Sequence, residues 1–165
     1  MRDILTSVTV FLHCDTDYLF VLRSPNKTVD ANRLNGIGGK VDPGEDYLAA
    51  AVRETEEETG YGVSPEDMRF CGLVRLEGGY PQDWIMAFFE ATVPTKTIPI
   101  GLECPEGTLL WIPQNEVLTS GYELVDDLRI CFPKIAASTH LFFMNTQINQ
   151  KEKIESYTLT EQRKS

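Results

Sequence analysis

Nothing in this chain approaches an 18-residue apolar run, so no stretch reads as a membrane-spanning helix. Histidine is almost missing: His13 and His140 stand alone, and no zinc site can be assembled from them. Four cysteines (Cys14, Cys71, Cys104 and Cys131) are scattered with no CxxC pair, which argues against a disulfide framework and for reduced thiols in the cytoplasm. The N-terminal MRDILTSVTV lacks the basic region and cleavage site of a secretory signal. Positive charge is also short, with 15 Lys and Arg against 25 Asp and Glu and a net charge of −10. Such a surface is a poor partner for long nucleic acid or for an anionic membrane. A phosphate-bearing small molecule could approach it only with a cation between the two negative partners.

What remains is enough for a sizeable core, since 42% of the 165 residues are hydrophobic. SVTVFLH (7–13) and YLFVLR (18–23) flank a polar turn and predict a hairpin. Strands are predicted over about 68–77, 84–93 and 108–113, and a closing hairpin is predicted from HLFFMN and KIESYTLT. A helix is expected over 45–59, stopped by Gly60, and another over 123–137 with a break or kink at Pro133. Strands and helices alternate without repeats or a long linker, which gives an α/β or α+β class with helices packed on a sheet.

Glycine is concentrated in NGIGGKVDPGE (35–45), yet two phosphate-loop patterns fail there. The P-loop needs Gly where Leu34 stands and Ser or Thr where Val41 stands. The dinucleotide fingerprint finds Val41 in place of its third glycine. The glycines serve a different close approach of backbone.

RETEEETG (53–60) packs four glutamates into five positions, although like charges at i,i+3 or i,i+4 cost about 0.2–0.5 kcal/mol per pair. On a helical wheel Leu48, Val52, Thr55 and Thr59 form the expected buried stripe. Glu54, Glu57 and Glu58 lie on nearly the opposite side, converging on one patch. A solvated acidic face is the plain reading of such a run. Converging carboxylates otherwise suit Mg²⁺ or Mn²⁺, which keep waters and bind substrate phosphates.

Spacing decides between the two. Gly39, five residues, Glu45, seven residues, then Arg53-Glu54-x-x-Glu57-Glu58-x-Gly60 meets all seven fixed positions of the Nudix box, here 39–61. Chance agreement is on the order of 10⁻⁸ at about one in fifteen per residue type. The apolar positions of the box hold Thr55 and Tyr61, a mild departure. The chain thus resembles the Nudix hydrolase superfamily. RLNGIGGKV, GTLLWIPQNEVL and LVDDLRICFP are similar to its MutT-like, mammalian-type 8-oxo-dGTP diphosphatase branch.

That resemblance implies a Nudix fold, an α/β/α sandwich around a mixed sheet, with 1–165 as one domain. It implies hydrolysis of a nucleoside triphosphate, an oxidised purine such as 8-oxo-dGTP, to monophosphate and pyrophosphate in sanitation of the nucleotide pool. Another nucleoside diphosphate-x substrate, a diadenosine polyphosphate, or a non-catalytic ligand sensor are the alternatives. Carried onto this sequence, Glu54, Glu57, Glu58, the Gly38 carbonyl and Glu106 would hold the metal. Glu57 or Glu54 would be the base, and Arg53 would orient a carboxylate. Glu45 would support the loop, and Lys40 would touch a phosphate or be a plain surface lysine. Asn35 with the pair Asp126 and Asp127 would read the base. Leu124 stands where the branch has a stacking Trp, and Leu34 replaces an aromatic. Trp84 or Phe88-Phe89 would then have to supply the ring.

Overall fold

The computed structural model describes residues 1–165 and contains ten strands, two α-helices and two short 3-10 helices. The hairpin read from the alternation is present as β1 (Ile4–Cys14) and β2 (Asp17–Arg23). Side chains alternate across them. Val8, Val10, Leu12, Leu19 and Val21 enter one apolar cluster, whereas Phe11, Tyr18 and Phe20 enter another on the opposite face. Two faces buried by one pair of strands require a layer on each side.

Those layers are the helices. α1 (Tyr47–Thr59) packs on the first cluster through Ala50 and Ala51, and α2 (Asp126–Ala137) on the second through Leu128, Cys131, Phe132 and Ile135. The sandwich implied by the Nudix likeness is therefore the one observed. The short β3 (Leu34–Asn35) pairs with β2, and β4 (Ile37–Lys40) pairs antiparallel with β1. β5 (Arg69–Glu77), β6 (Asp83–Thr92), β7 (Glu103–Cys104), β8 (Gly107–Pro113), β9 (His140–Ile148) and β10 (Ile154–Arg163) complete the sheet. Its order is β10-β9-β5-β6-β1-β2-β8-β7, with β1–β6 and β5–β9 parallel. The mixed sheet is thus confirmed, and the terminal hairpin is β9–β10.

Three details depart from the sequence reading. α1 begins at Tyr47 because Asp46 caps it, its Oδ1 accepting from Ala49 N at 2.8 Å. α2 begins at Asp126 because residues 123–125 are extended beside β3: Leu34 N donates to Glu123 O at 2.7 Å, and Val125 N to Leu34 O at 3.1 Å. The helix then runs through Pro133 without a break. Pro133 and Arg129, whose carbonyl loses the i+4 donor, both lie on the exposed side, while Phe132 and Ile135 anchor the turn in the core.

Candidate active site

The glycine loop and α1 meet because glycine lets them. A Cβ on Gly38 would sit 1.9 Å from the Val8 carbonyl oxygen, and one on Gly39 would sit 2.4 Å from Glu54 Oε1. β4 therefore lies flat on β1, with the Glu54 carboxylate resting on the space a side chain would fill.

Arg53 organises the carboxylates. Its Nε and Nη2 donate to the two oxygens of Glu45, both at 2.8 Å. Nη1 donates to Glu54 Oε1 at 2.8 Å and to Glu57 Oε2 at 3.2 Å, and Nη2 also reaches the Lys40 carbonyl at 3.1 Å. A bidentate guanidinium–carboxylate pair fixes orientation as well as charge. It holds the Glu45 carboxyl down to about 2. Burial works the other way on Glu54, pushing its carboxyl up against the pull of Arg53.

Glu58 departs from expectation. It is not on an open face: it is 6% exposed, and its Oε2 accepts from Gly38 N at 3.2 Å. The reason is rotational. The buried stripe is centred on Ala51, Thr55 and Thr59, with Leu48 and Val52 only half-buried, and Glu58 borders it. Burial, then the neighbouring Glu54, push the Glu58 carboxyl up to about 8. The expected convergence of three glutamates on one patch needs a second correction. Glu54 and Glu58 line the cleft described below, whereas Glu57, with its side chain 59% exposed, is drawn to the Arg53 side.

The cleft has a volume of about 700 Å³ and runs from Glu54, Glu58, Gly38, Gly39 and Lys40 past Glu106 to Asn35 and Asp127. The Asn35 Oδ1 accepts from Gly36 N at 2.8 Å, which leaves its NH₂ as the free end. Burial, then the charge of Asp30, push the Asp127 carboxyl up to about 7. Asp126 does not join it. Adjacent helical residues point about 100° apart, and Asp126 Oδ2 instead accepts from Ile154 N at 2.6 Å. The expected adjacent acid pair is thus split between cleft and hairpin. Leu124 is 1% exposed and packed in the core with Leu34, so neither replaces a stacking ring, and Phe88 and Phe89 are core as well. The rings that reach the cleft are Trp84, with Lys40 Nζ 5.9 Å from its centroid, and Tyr80.

Four charged residues of this cleft escaped the sequence reading, one of them Asp42 at its rim by the glycine loop. Arg23 Nη1 and Lys27 Nζ each lie 3.2 Å from Glu106 Oε2, and Asp30 lines the wall beside them. Arg23 had a signal, as the charged end of a strand leading into the glycine loop; Lys27 and Asp30 sat in an unpatterned polar segment. Both histidines lie elsewhere. His13 Nε2 is 3.1 Å from the buried Glu90, and His140 is on β9.

The NUDIX domain family model matches residues 4–129, from β1 into α2. The chain belongs to the NUDIX family. Solved structures agree in fold. A MutT protein from Bacillus halodurans superposes with a TM-score of 0.79 at 22% identity, covering 94% of this chain and 97% of that one. The MutT protein from Methanosarcina mazei Go1 gives 0.67 at 23% identity, covering 82% and 95%. The NUDIX domain of Shewanella oneidensis NrtR, solved with ADP ribose, gives 0.66 at 17%, covering 83% and 89%. NUDIX hydrolases are generally metal-dependent diphosphatases, and the domains bind small nucleotide-type ligands.

The donors present suit such a metal. No three acidic, cysteine or histidine side chains enclose one point closely enough to cage an ion alone. The cleft carboxylates of Glu54, Glu58 and Glu106 and a glycine carbonyl leave coordination to be completed by water and phosphate oxygens, the habit of Mg²⁺.

These acids make the metal-free protein pH-sensitive in a definite direction. Glu58 and Asp127 bind protons more tightly folded than unfolded, so their contribution to stability is full below about pH 4 and is lost as pH rises through 7 and 8. In EDTA the melting temperature should fall from pH 5 to pH 8.5, and Glu58→Gln should flatten the upper part of that fall. A melting temperature that rises over this range would contradict the burial of both groups.

Proposed function

We propose that this NUDIX protein is a metal-dependent pyrophosphohydrolase of purine nucleoside triphosphates, oxidised purines such as 8-oxo-dGTP among them. The observation that carries the proposal is the continuity of the cleft. Oxygen donors for a metal–phosphate lie at one end, hydrogen-bonding groups for a base lie at the other, and the volume is that of a nucleotide site.

A divalent cation bound among Glu54, Glu58, Glu106 and the Gly38 carbonyl would neutralise phosphate charge and acidify an attacking water. The chain's own groups do the rest. Arg53 fixes Glu54 against the loop, leaving Glu54 to hold the ion or accept the proton. Glu57 sits one Arg53 contact away from the same role. Arg23, Lys27 and Lys40 supply the positive charge a phosphate chain needs in a protein of net charge −10. Trp84 offers a face for stacking. At the base end the Asn35 NH₂ donates, and an Asp127 carboxyl near its midpoint at neutral pH both donates and accepts. An 8-oxo purine presents an added N–H beside a carbonyl, which matches that mixed character.

Steady-state kinetics on 8-oxo-dGTP, dGTP, dCTP and ADP-ribose tests the reading. Asp127→Asn should raise KM for the purine triphosphates roughly 5- to 150-fold, the cost of an unpaired buried contact of about 1–3 kcal/mol. Asp126→Asn should leave KM within about twofold, because its carboxylate serves Ile154 rather than the cleft. Equal losses on dCTP, or equal effects of the two variants, would refute the base-end assignment.

A further inference from the structure

We infer that Asp30 is a specificity-determining residue of the base end, selecting a nucleobase edge that carries adjacent N–H donors, as in a guanine-type ring. The inference rests on the nucleotide reading above. Asp30 lies in the loop between β2 and β3, and its side chain, 14% exposed, forms part of the cleft wall. Two donors reach its carboxylate, Tyr80 Oη at 3.3 Å and Arg33 Nη1 at 3.2 Å, and both fall on Oδ1. No nitrogen or hydroxyl donates to Oδ2; the carboxyl of Glu152 lies within hydrogen-bond reach of Asp30 and adds like charge.

The loop is built to keep this acid in place. Asp30 has φ +51, a left-handed conformation that a side chain adopts at a cost. Its backbone N donates to Glu152 Oε2 at 3.2 Å. Arg33, 8% exposed, ties the segment to the β9–β10 turn through the carbonyl of Glu152 at 3.3 Å and to Glu123 at 3.4 Å. One guanidinium is therefore shared among Asp30, Glu152 and Glu123, and only Glu123 has a second cation, Lys153 Nζ at 3.1 Å.

An independent observation points to a ligand. Asp127, nine-tenths buried in the same wall, accepts a hydrogen bond from its own backbone amide and from no other residue. Among charged groups Asp30 acts on it most strongly, as a like charge. Two acids facing one space, with lone pairs unfilled, are stabilised by a ligand that brings donors. A guanine-type edge presents a ring N–H beside an exocyclic NH₂. Adenine and cytosine edges place a ring acceptor next to their amino group, and that lone pair would face a carboxylate oxygen.

The test compares Asp30→Asn with Glu123→Gln, which loosens the Arg33 clamp without touching Asp30 or the cleft. Two readouts are taken on the full chain with Mg²⁺: turnover of GTP and ATP, and equilibrium binding of GDP and ADP. Asp30→Asn should weaken guanine-nucleotide binding and raise KM for GTP about 10-fold or more, leave kcat within about threefold, and move the adenine values little. Glu123→Gln should preserve the guanine preference. An unchanged preference in Asp30→Asn, a wild type that binds GDP no better than ADP, or an equal loss in Glu123→Gln would overturn the inference. Binding preference without any turnover would refute the hydrolase reading and leave the assignment of Asp30 standing.

Discussion

Glu58→Gln should lower kcat by a factor of order 10² or more while making the metal-free protein more stable at pH 8. The two effects have one cause. Glu58 is buried against Gly38, beside the like charge of Glu54, so ionising it is unfavourable until a cation arrives. Glutamine keeps the shape and one acceptor for the Gly38 amide but carries no charge for a metal–phosphate. Glu54→Gln should lose activity to a similar extent, but it also weakens a charge-assisted bond to Arg53, so its melting temperature should not rise. Kinetics and thermal melts in EDTA, run side by side, check both. Undiminished kcat in both variants would return the glutamate run to an ordinary acidic face.

Gly38→Ala should be among the most damaging single methyls in the molecule. Its Cβ would lie 1.9 Å from the Val8 carbonyl oxygen, 2.9 Å from the Val8 carbonyl carbon and 3.1 Å from Thr9 Cα. All three are backbone atoms of β1, which is paired on its other edge along ten positions of β6, so the strand cannot yield locally. Overpacking of this kind costs about 1–3 kcal/mol or more. At about 2–4 °C per kcal/mol for a chain of this size, the melting temperature should drop by roughly 2–12 °C. Activity should fall further than stability alone explains, because β4 carries the Gly38 contact to Glu58 and the Lys40 contact to Arg53. Gly62→Ala is the control. Nothing lies within 4 Å of its Cβ, and its φ is ordinary, so it should be neutral or slightly stabilising.

The parts of the site legible in the sequence are those encoded locally. Arg53, Glu54, Glu57 and Glu58 lie within six residues of one helix, and Glu45 reaches Arg53 eight positions away. Strand alternation likewise marked β1, β2, β5 and β6. The base end was less legible because it depends on contacts distant in sequence. Whether Asp126 or Asp127 faces the cleft is set by where α2 starts, and that start is imposed by the bridge of Leu34 to Leu124, ninety residues away. Asp30 reaches the cleft through a loop anchored at Glu152. Neither dependence leaves a period or a motif in the chain. The burial of Glu58 was missed for a smaller reason: small residues at Ala50 and Ala51 let the helix roll closer to the sheet than a stripe drawn through Leu48 and Val52 implies.

The most direct test of the central claim is product analysis of a purine nucleoside triphosphate turned over in ¹⁸O-labelled water, with Mg²⁺ and with excess EDTA. Monophosphate and pyrophosphate are expected in equal amounts, with one labelled oxygen per turnover and no reaction in EDTA. Release of orthophosphate, turnover that survives EDTA, or tight binding of the nucleotide with no cleavage would contradict it.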